Sequence, residues 1–346
     1  MLPQTALFGS RIGNAMGAEA VPDSCRCGPE GPRVAPGRIA CLYALVLSVG
    51  AVASSGPSAE EANPFPVTEI AAGVFVYEAP IALADANNLG AIANLGFVIG
   101  EDGVAVIDTG GSLAAGQRLL AAIRERTDLP IRYVVNTHVH PDHVLGNAAF
   151  EGSGVTFVGH RNLPQALADR AKTYLAANSA LIGAAFAGTS IVPPTRLAED
   201  VVEIDLGRRK LRVEAWRTAH TNTDVTVLDE ATSTWFLGDL LFIGHVPALD
   251  GSLAGWIRTL NELRARPVAR VVPGHGPSAA PWPAAADLTQ HYLAALQADV
   301  RTSIRQGHTI GEVARQAAQR DAGPWLLFNQ FNARNAVTAF HELEWE

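Results

Sequence analysis

Lysine is nearly missing from this chain. Only Lys172 and Lys210 occur among 346 residues, and arginine supplies the rest of the 26 basic side chains. Acidic residues number 34, so the formal net charge is −8. No basic stripe marks any segment, which argues against a nucleic-acid partner. Thiols are equally scarce: Cys25, Cys27 and Cys41 are the three cysteines, all near the start. Cys25-Arg26-Cys27 is too tight for a zinc knuckle and has no downstream pair to complete one. Beyond Cys41 the chain has no disulfide to form, and a metal there must be held by histidine and carboxylate. Hydrophobic residues make up 48% and charged residues 17%, enough for one sizeable core with an appendage.

Long apolar runs are also rare. One spans 39–53, preceded by Arg33 and Arg38 and closed by Ala51-Val52-Ala53. A basic start, an apolar stretch of about 15 residues and small residues at a cleavage site read as a signal peptide. A membrane span asks for about 20 apolar residues. The expectation is therefore a periplasmic or secreted protein with no membrane span after cleavage. Residues 1–37, rich in Gly and Pro, read as an over-extended start, with the true start near Val34. Segments 1–53 (extension and signal, core 38–53), 54–66 (linker), 67–282 (catalytic domain) and 283–346 (helical segment packed on it) are the expected divisions.

Short strands are predicted at 74–77, 95–99 and 103–107, the last two joined by Gly100-Glu101-Asp102-Gly103. Ser112 is placed to cap a helix reaching about Arg126. A buried strand at 131–135 delivers Asn136-Thr137-His138. Another strand is expected at 155–158 and a helix at 161–178, with 179–200 a loop. Further strands are expected at 201–204, 211–216, 225–228, 235–237 and 268–272, with a helix at 253–266 before the last. Beyond Pro283 the pattern is helical almost to the end. Blocks 70–110 and 201–245 suggest two facing sheets inside helical layers.

The chemistry concentrates in His138-Val139-His140-Pro141-Asp142-His143, four metal-binding side chains within six residues after a buried strand. Zinc takes such neutral imidazoles and carboxylates at about 2.0–2.2 Å and leaves a position open for water. Three more candidates follow later strands: His220 in Thr-Ala-His-Thr, Asp239 after Trp-Phe-Leu-Gly, and His275 in Pro-Gly-His-Gly. Together they complete a seven-ligand set. His138, His140 and His220 would hold one metal, and Asp142, His143 and His275 the other. Asp239 would bridge. Asp142 and Asp239 are also the candidate catalytic carboxylates, and His245 is a candidate substrate contact.

From Val74 to His275 the chain resembles the metallo-β-lactamase superfamily. The resemblance implies a four-layer αββα sandwich of α+β class, here with extra C-terminal helices. Asp108 in Val-Ile-Asp-Thr-Gly matches the superfamily's first motif and would buttress the ligand loop. Asp224 is a second such candidate, with a turn role as its alternative. A bridging Asp239 is similar to the glyoxalase II-like set and points away from β-lactamase activity. Residues 136–150 and the tail 325–345 resemble the quinoprotein relay system zinc metallohydrolases, which implies a quinoprotein dehydrogenase system as partner.

The expected function is an exported hydrolase with two Zn²⁺, attacking the carbonyl of a small thioester, ester or lactone. Iron or manganese would suit the same donors. Two rival readings stand beside it: a non-catalytic periplasmic accessory to a quinoprotein dehydrogenase, and a mononuclear iron sulfur dioxygenase. The complete second ligand set argues against both. The tail reads as a packing helix, with a lid or partner surface as the alternative.

Overall fold

The computed structural model describes residues 63–346. The expected leader 1–53, its cysteines and its cleavage site lie outside the described residues, as does most of the linker.

The first sheet has seven strands in sequence order. They are β1 (Val67–Ala71), β2 (Val74–Tyr77), β3 (Leu95–Ile99), β4 (Val104–Ile107), β5 (Ile131–Val135), β6 (Thr156–His160) and β7 (Arg196–Ala198). Strands β1 to β4 pair antiparallel, and β4 to β7 pair parallel. Parallel neighbours require crossovers. Helix α1 (Leu113–Arg124) joins β4 to β5, the one-turn α2 (Pro141–Val144) lies between β5 and β6, and α3 (Leu163–Ile182) follows β6. Ser112 caps α1 by accepting a hydrogen bond from the Ala115 amide.

The second sheet has five strands, β8 (Val201–Asp205), β9 (Lys210–Ala215), β10 (Val225–Asp229), β11 (Thr234–Phe242) and β12 (Arg270–His275). Their spatial order is β12-β11-β10-β9-β8. Only β11 and β12 pair parallel, and α4 (Leu253–Arg264) makes that crossover. The chain then forms α5 (Asp287–Arg305), α6 (Ile310–Gln316) and α7 (Phe328–Leu343).

Alternation along the strands builds the layers. Val74, Val76, Val98 and Ile107 of the first sheet meet Val213, Val227 and Phe236 of the second in one apolar layer. The opposite face of the first sheet, with Leu95, Phe97 and Val106, packs on Leu119 and Ile123 of α1. Trp235, Leu237 and Val271 on the outer face of the second sheet pack on α4, α5 and α7. The result is the expected αββα stack, with the C-terminal helices sharing the core of the second sheet.

Several boundaries differ from the sequence reading. Strand β1 has a half-exposed pattern and no apolar run, so nothing announced it. Strand β7 sits inside the stretch read as a loop, held by parallel pairing to β6. Strand β11 does not stop at Leu237 but runs through Gly238 and Asp239 to Phe242. Helix α3 continues to Ile182, where Gly183 at φ 69° ends it. Among the described residues no helix is long and apolar enough to cross a membrane.

Helix α7 is tied down by polar contacts as well as by its apolar face. The Glu342 carboxylate accepts from Ser252 Oγ and from the amides of Leu253 and Ala254, so it caps the N-terminus of α4. Asn335 accepts from the Leu249 amide and donates to the Pro247 carbonyl. A carboxylate lost from a helix N-terminus costs about 0.5–2 kcal/mol. Glu342→Ala is expected to lower stability by about that amount, read as a lower urea midpoint with an unchanged slope.

Candidate metal centre

The candidate ligands stand at strand ends, in the loops and the one-turn helix that follow strands, or within β11. The carboxyl ends of strands are where ligands gather in sheets with parallel strands. His138 follows β5, His275 ends β12, and Asp239 lies in β11 where it pairs with β12. His140 to His143 are presented by the turn into α2, whose first position is Pro141.

The seven side chains converge. His138, His140, His220 and Asp239 form one group with ligand atoms within 4.8 Å of one another, and Asp142, His143 and His275 form another. His138 Nε2 lies 3.0 Å from His140 Nδ1 and 3.3 Å from His220 Nε2, and His220 Nε2 lies 3.0 Å from His140 Nδ1. In the second group, Asp142 Oδ2 is 3.6 Å from His143 Nε2 and 3.5 Å from His275 Nε2. Asp239 faces both groups. Its Oδ2 is 3.3 Å from His220 and 3.4 Å from His275, and its Oδ1 is 3.3 Å from His143.

These distances suit metal ions. A tetrahedral centre bound at about 2.0–2.1 Å sets its ligand atoms about 3.3 Å apart. His143 Nε2 and Asp239 Oδ1 are buried and lack hydrogen-bond partners among the described residues. Buried polar atoms left unpaired are costly, and an ion between them removes that cost. The donors are nitrogen and oxygen only, which suits zinc and does not exclude iron or manganese.

Outer contacts fix which nitrogen of His220, His143 and His140 points inward. His220 Nδ1 lies 2.6 Å from the Ala248 carbonyl, so Nε2 faces the cluster. His143 Nδ1 lies 2.8 Å from Asp108 Oδ2. Asp108 also accepts from the Thr137 amide and from Thr137 Oγ1, both at 2.7 Å. It adopts φ 59°, a left-handed conformation that Asp tolerates better than most residues. His140 is reversed: its Nδ1 faces the cluster and its Nε2 lies 3.1 Å from Asp250 Oδ2.

Electrostatics follow from burial and neighbours. Burial pushes His220 down to about 3 and His138 well below the usual imidazole range, leaving lone pairs free. Burial opposes charge on His143 too, but Asp239, Asp108 and Asp142 outweigh it and hold its pKa well above the usual value. Asp239 is likewise buried, yet His275, His143 and His138 keep its carboxyl well below the usual carboxylate range.

Asp224 touches none of the ligand side chains. It accepts from the amide and hydroxyl of Thr221, closing the turn that opens β10, so the turn role holds and the link to His220 is through the backbone. His245 lies beside the cluster, its ring 4.9 Å from His275 and 5.0 Å from Phe331. Sequence reasoning missed Asp250, which holds His140 and lies within 3.4 Å of both Arg170 and Arg334. An aspartate in an Asp-Gly-Ser turn carries no signal of such a role.

A cavity of about 580 Å³ opens over the cluster. His140, Asp142, Asp239 and His275 form its floor, α3 one wall, and Phe331 and Arg334 of α7 another.

The sequence profile of the metallo-beta-lactamase superfamily matches residues 90–275, and the chain belongs to that superfamily. A linear primary-alkylsulfatase of Pseudomonas sp. is 43% identical over 49 residues, 14% of this chain and 9% of that protein. Among solved structures, the stereoselective inverting sec-alkylsulfatase from Pseudomonas sp. aligns with a TM-score of 0.63 at 12% identity, over 80% of this chain and 50% of its own. A metallo-beta-lactamase from Pontibacter korlensis aligns at 0.50 and 22% identity, over 66% of this chain and 95% of its own. The chain thus spans half the length of the first structural relative and a small part of the curated one. At these identities the structures share the fold.

Two outcomes are expected. Asp108→Asn removes the carboxylate behind His143, and loss of such an outer partner weakens metal binding about 10–100-fold. Metal titration with mass-spectrometric readout checks this, with circular dichroism showing a retained fold. Burial also pushes Asp224 up to about 7, against the pull of its hydrogen bonds from Thr221. The folded chain then keeps a proton that the unfolded chain releases from about pH 4. Stability from this group is fullest below that pH and falls as pH rises towards 7. In Asp224→Asn that decline is expected to shrink, seen as a smaller difference between urea midpoints at pH 5 and pH 7.

Proposed function

We propose that the chain is an exported hydrolase that uses two zinc ions to open the ester, thioester or lactone of a small molecule. The observation that carries this reading is Asp239, whose two oxygens face two separate groups of ligand atoms on the floor of one cavity. When bound, the metal pair supplies an activated water and a Lewis acid for the scissile carbonyl.

The chain's own residues do the rest. His138, His140 and His220 present nitrogens on one side, and Asp142, His143 and His275 serve the other. Asp239 stays ionised between them. Asp142 is the more exposed of the two carboxylates and borders the cavity, so its carboxylate is placed to pass a proton from the attacking water to the leaving group. The cavity is of the size that small-molecule sites take.

Export rests on the leader at 38–53, and the tie to a quinoprotein dehydrogenase system rests on the resemblance of 136–150 and of the tail. A second reading, sulfate-ester hydrolysis, is favoured by the two Pseudomonas relatives, both named as alkylsulfatases.

His140→Ala is expected to remove one metal per chain and nearly all hydrolysis while keeping the fold. Metal content by mass spectrometry, run with a panel of thioesters, lactones, carboxylic esters and alkyl sulfates, tests this. About two zinc per chain with turnover of a carbonyl substrate supports the first reading. Turnover of alkyl sulfates alone replaces it with the second. One iron with oxygen uptake, or no metal and no turnover, overturns both.

A further inference from the structure

We propose that Arg170 and Arg334 form a two-arginine site for a carboxylate that the substrate carries away from its scissile bond. The proposal rests on the hydrolase reading above and narrows its substrate to an anionic ester, thioester or lactone.

The two arginines arrive from different elements. Arg170 lies on α3 and Arg334 on α7, and both line the cavity over the ligand cluster. One carboxylate, Asp250, brings them together. Its Oδ2 is 3.4 Å from Arg170 Nη2, and its Oδ1 is 3.3 Å from Arg334 Nη2. Structural arginine pairs elsewhere in the chain look different. Arg209 grips Asp229 through two nitrogens at 2.9 and 2.8 Å, and Arg301 grips Glu346 at 2.8 and 3.0 Å. At Asp250 each guanidinium offers a single long contact. Its other N–H groups form no hydrogen bond among the described residues and remain open to a ligand. Two guanidiniums share one carboxylate, Asp250, at this rim. Asp169, a second carboxylate, lines the same cavity and accepts from Gln165 Nε2 at 2.7 Å.

The α3 wall explains which end of a substrate would lie here. Arg170, Tyr174, Ala177 and Leu181 recur at helical spacing along the cavity face. The face runs from a charge through a phenol to an aliphatic end over about 16 Å. Tyr174 makes no side-chain hydrogen bond among the described residues and lines the same cavity as both arginines. The guanidinium fork matches a planar carboxylate in two-point contact, so the acid group is read at the arginine end. The remaining, less polar part of the substrate then lies along Ala177 and Leu181, with the reacting bond over the floor.

Two measurements test this. The first is glutarate binding to metal-stripped protein by calorimetry, with glutaramide as the neutral control. Glutarate is expected to bind and glutaramide not, with binding lost in the double variant Arg170→Gln/Arg334→Gln. Arg301→Gln, remote from the cavity, is expected to bind as the parent does. The second is the kcat/KM ratio of mono-p-nitrophenyl glutarate to p-nitrophenyl acetate in the metal-loaded enzyme. It is expected to fall about tenfold or more in the double variant, the scale of one charge-assisted contact. Equal binding of glutarate and glutaramide, or a double variant that binds glutarate as the parent does, overturns the proposal. Glutarate binding that persists without turnover of any ester sinks the hydrolase reading and leaves the anion site standing.

Discussion

The Asp108 carboxylate is the knot on which the centre depends. It stands just past β4 and reaches across to the turn after β5, where it accepts from the Thr137 amide, the Thr137 hydroxyl and His143. A buried carboxylate with three donors has little freedom, so the turn carrying His138 to His143 is fixed to the neighbouring strand. That rigidity matters because imidazole lone pairs repel when crowded without a cation. A flexible turn would let them part. Here the backbone is held first, and the nitrogens must face one another whether or not an ion sits between them.

A second constraint is the close approach of β11 and β12 under the cluster. A side chain at Gly274 would collide with Asp239 Oδ1, and Gly238 takes φ 52° against Thr137. The missing side chains let Asp239 lie between the two groups of ligand atoms. The glycines of Leu-Gly-Asp and Pro-Gly-His are thus spatial requirements of the site as much as turn residues.

Much of this was readable in the sequence. The seven candidate ligands stood out because histidine and carboxylate at the ends of apolar strands have few other uses, and the structure gathers all seven. The facing sheets were legible from two blocks of alternating strands. The failures share one cause, dependence on partners distant in the chain. Strand β7 exists only through its pairing with β6, and β1 shows a half-exposed face that resembles a loop. Asp250 owes its place to His140, Arg170 and Arg334, which lie 110, 80 and 84 positions away. No local pattern encodes such a meeting. Arg334 in particular was hidden in a tail that read equally well as packing.

The anchoring of α7 gives the tail a different standing. Glu342 holds the start of α4, Asn335 holds the segment at 247–249, and Phe331 and Arg334 border the cavity. The loop between β11 and α4 also supplies the Ala248 carbonyl to His220 and the Asp250 carboxylate to His140. All seven donors, from His138 to His275, precede in sequence the helix that braces this loop. A chain cut before α7 therefore carries all seven donors but leaves the supports of His140 and His220 unbraced.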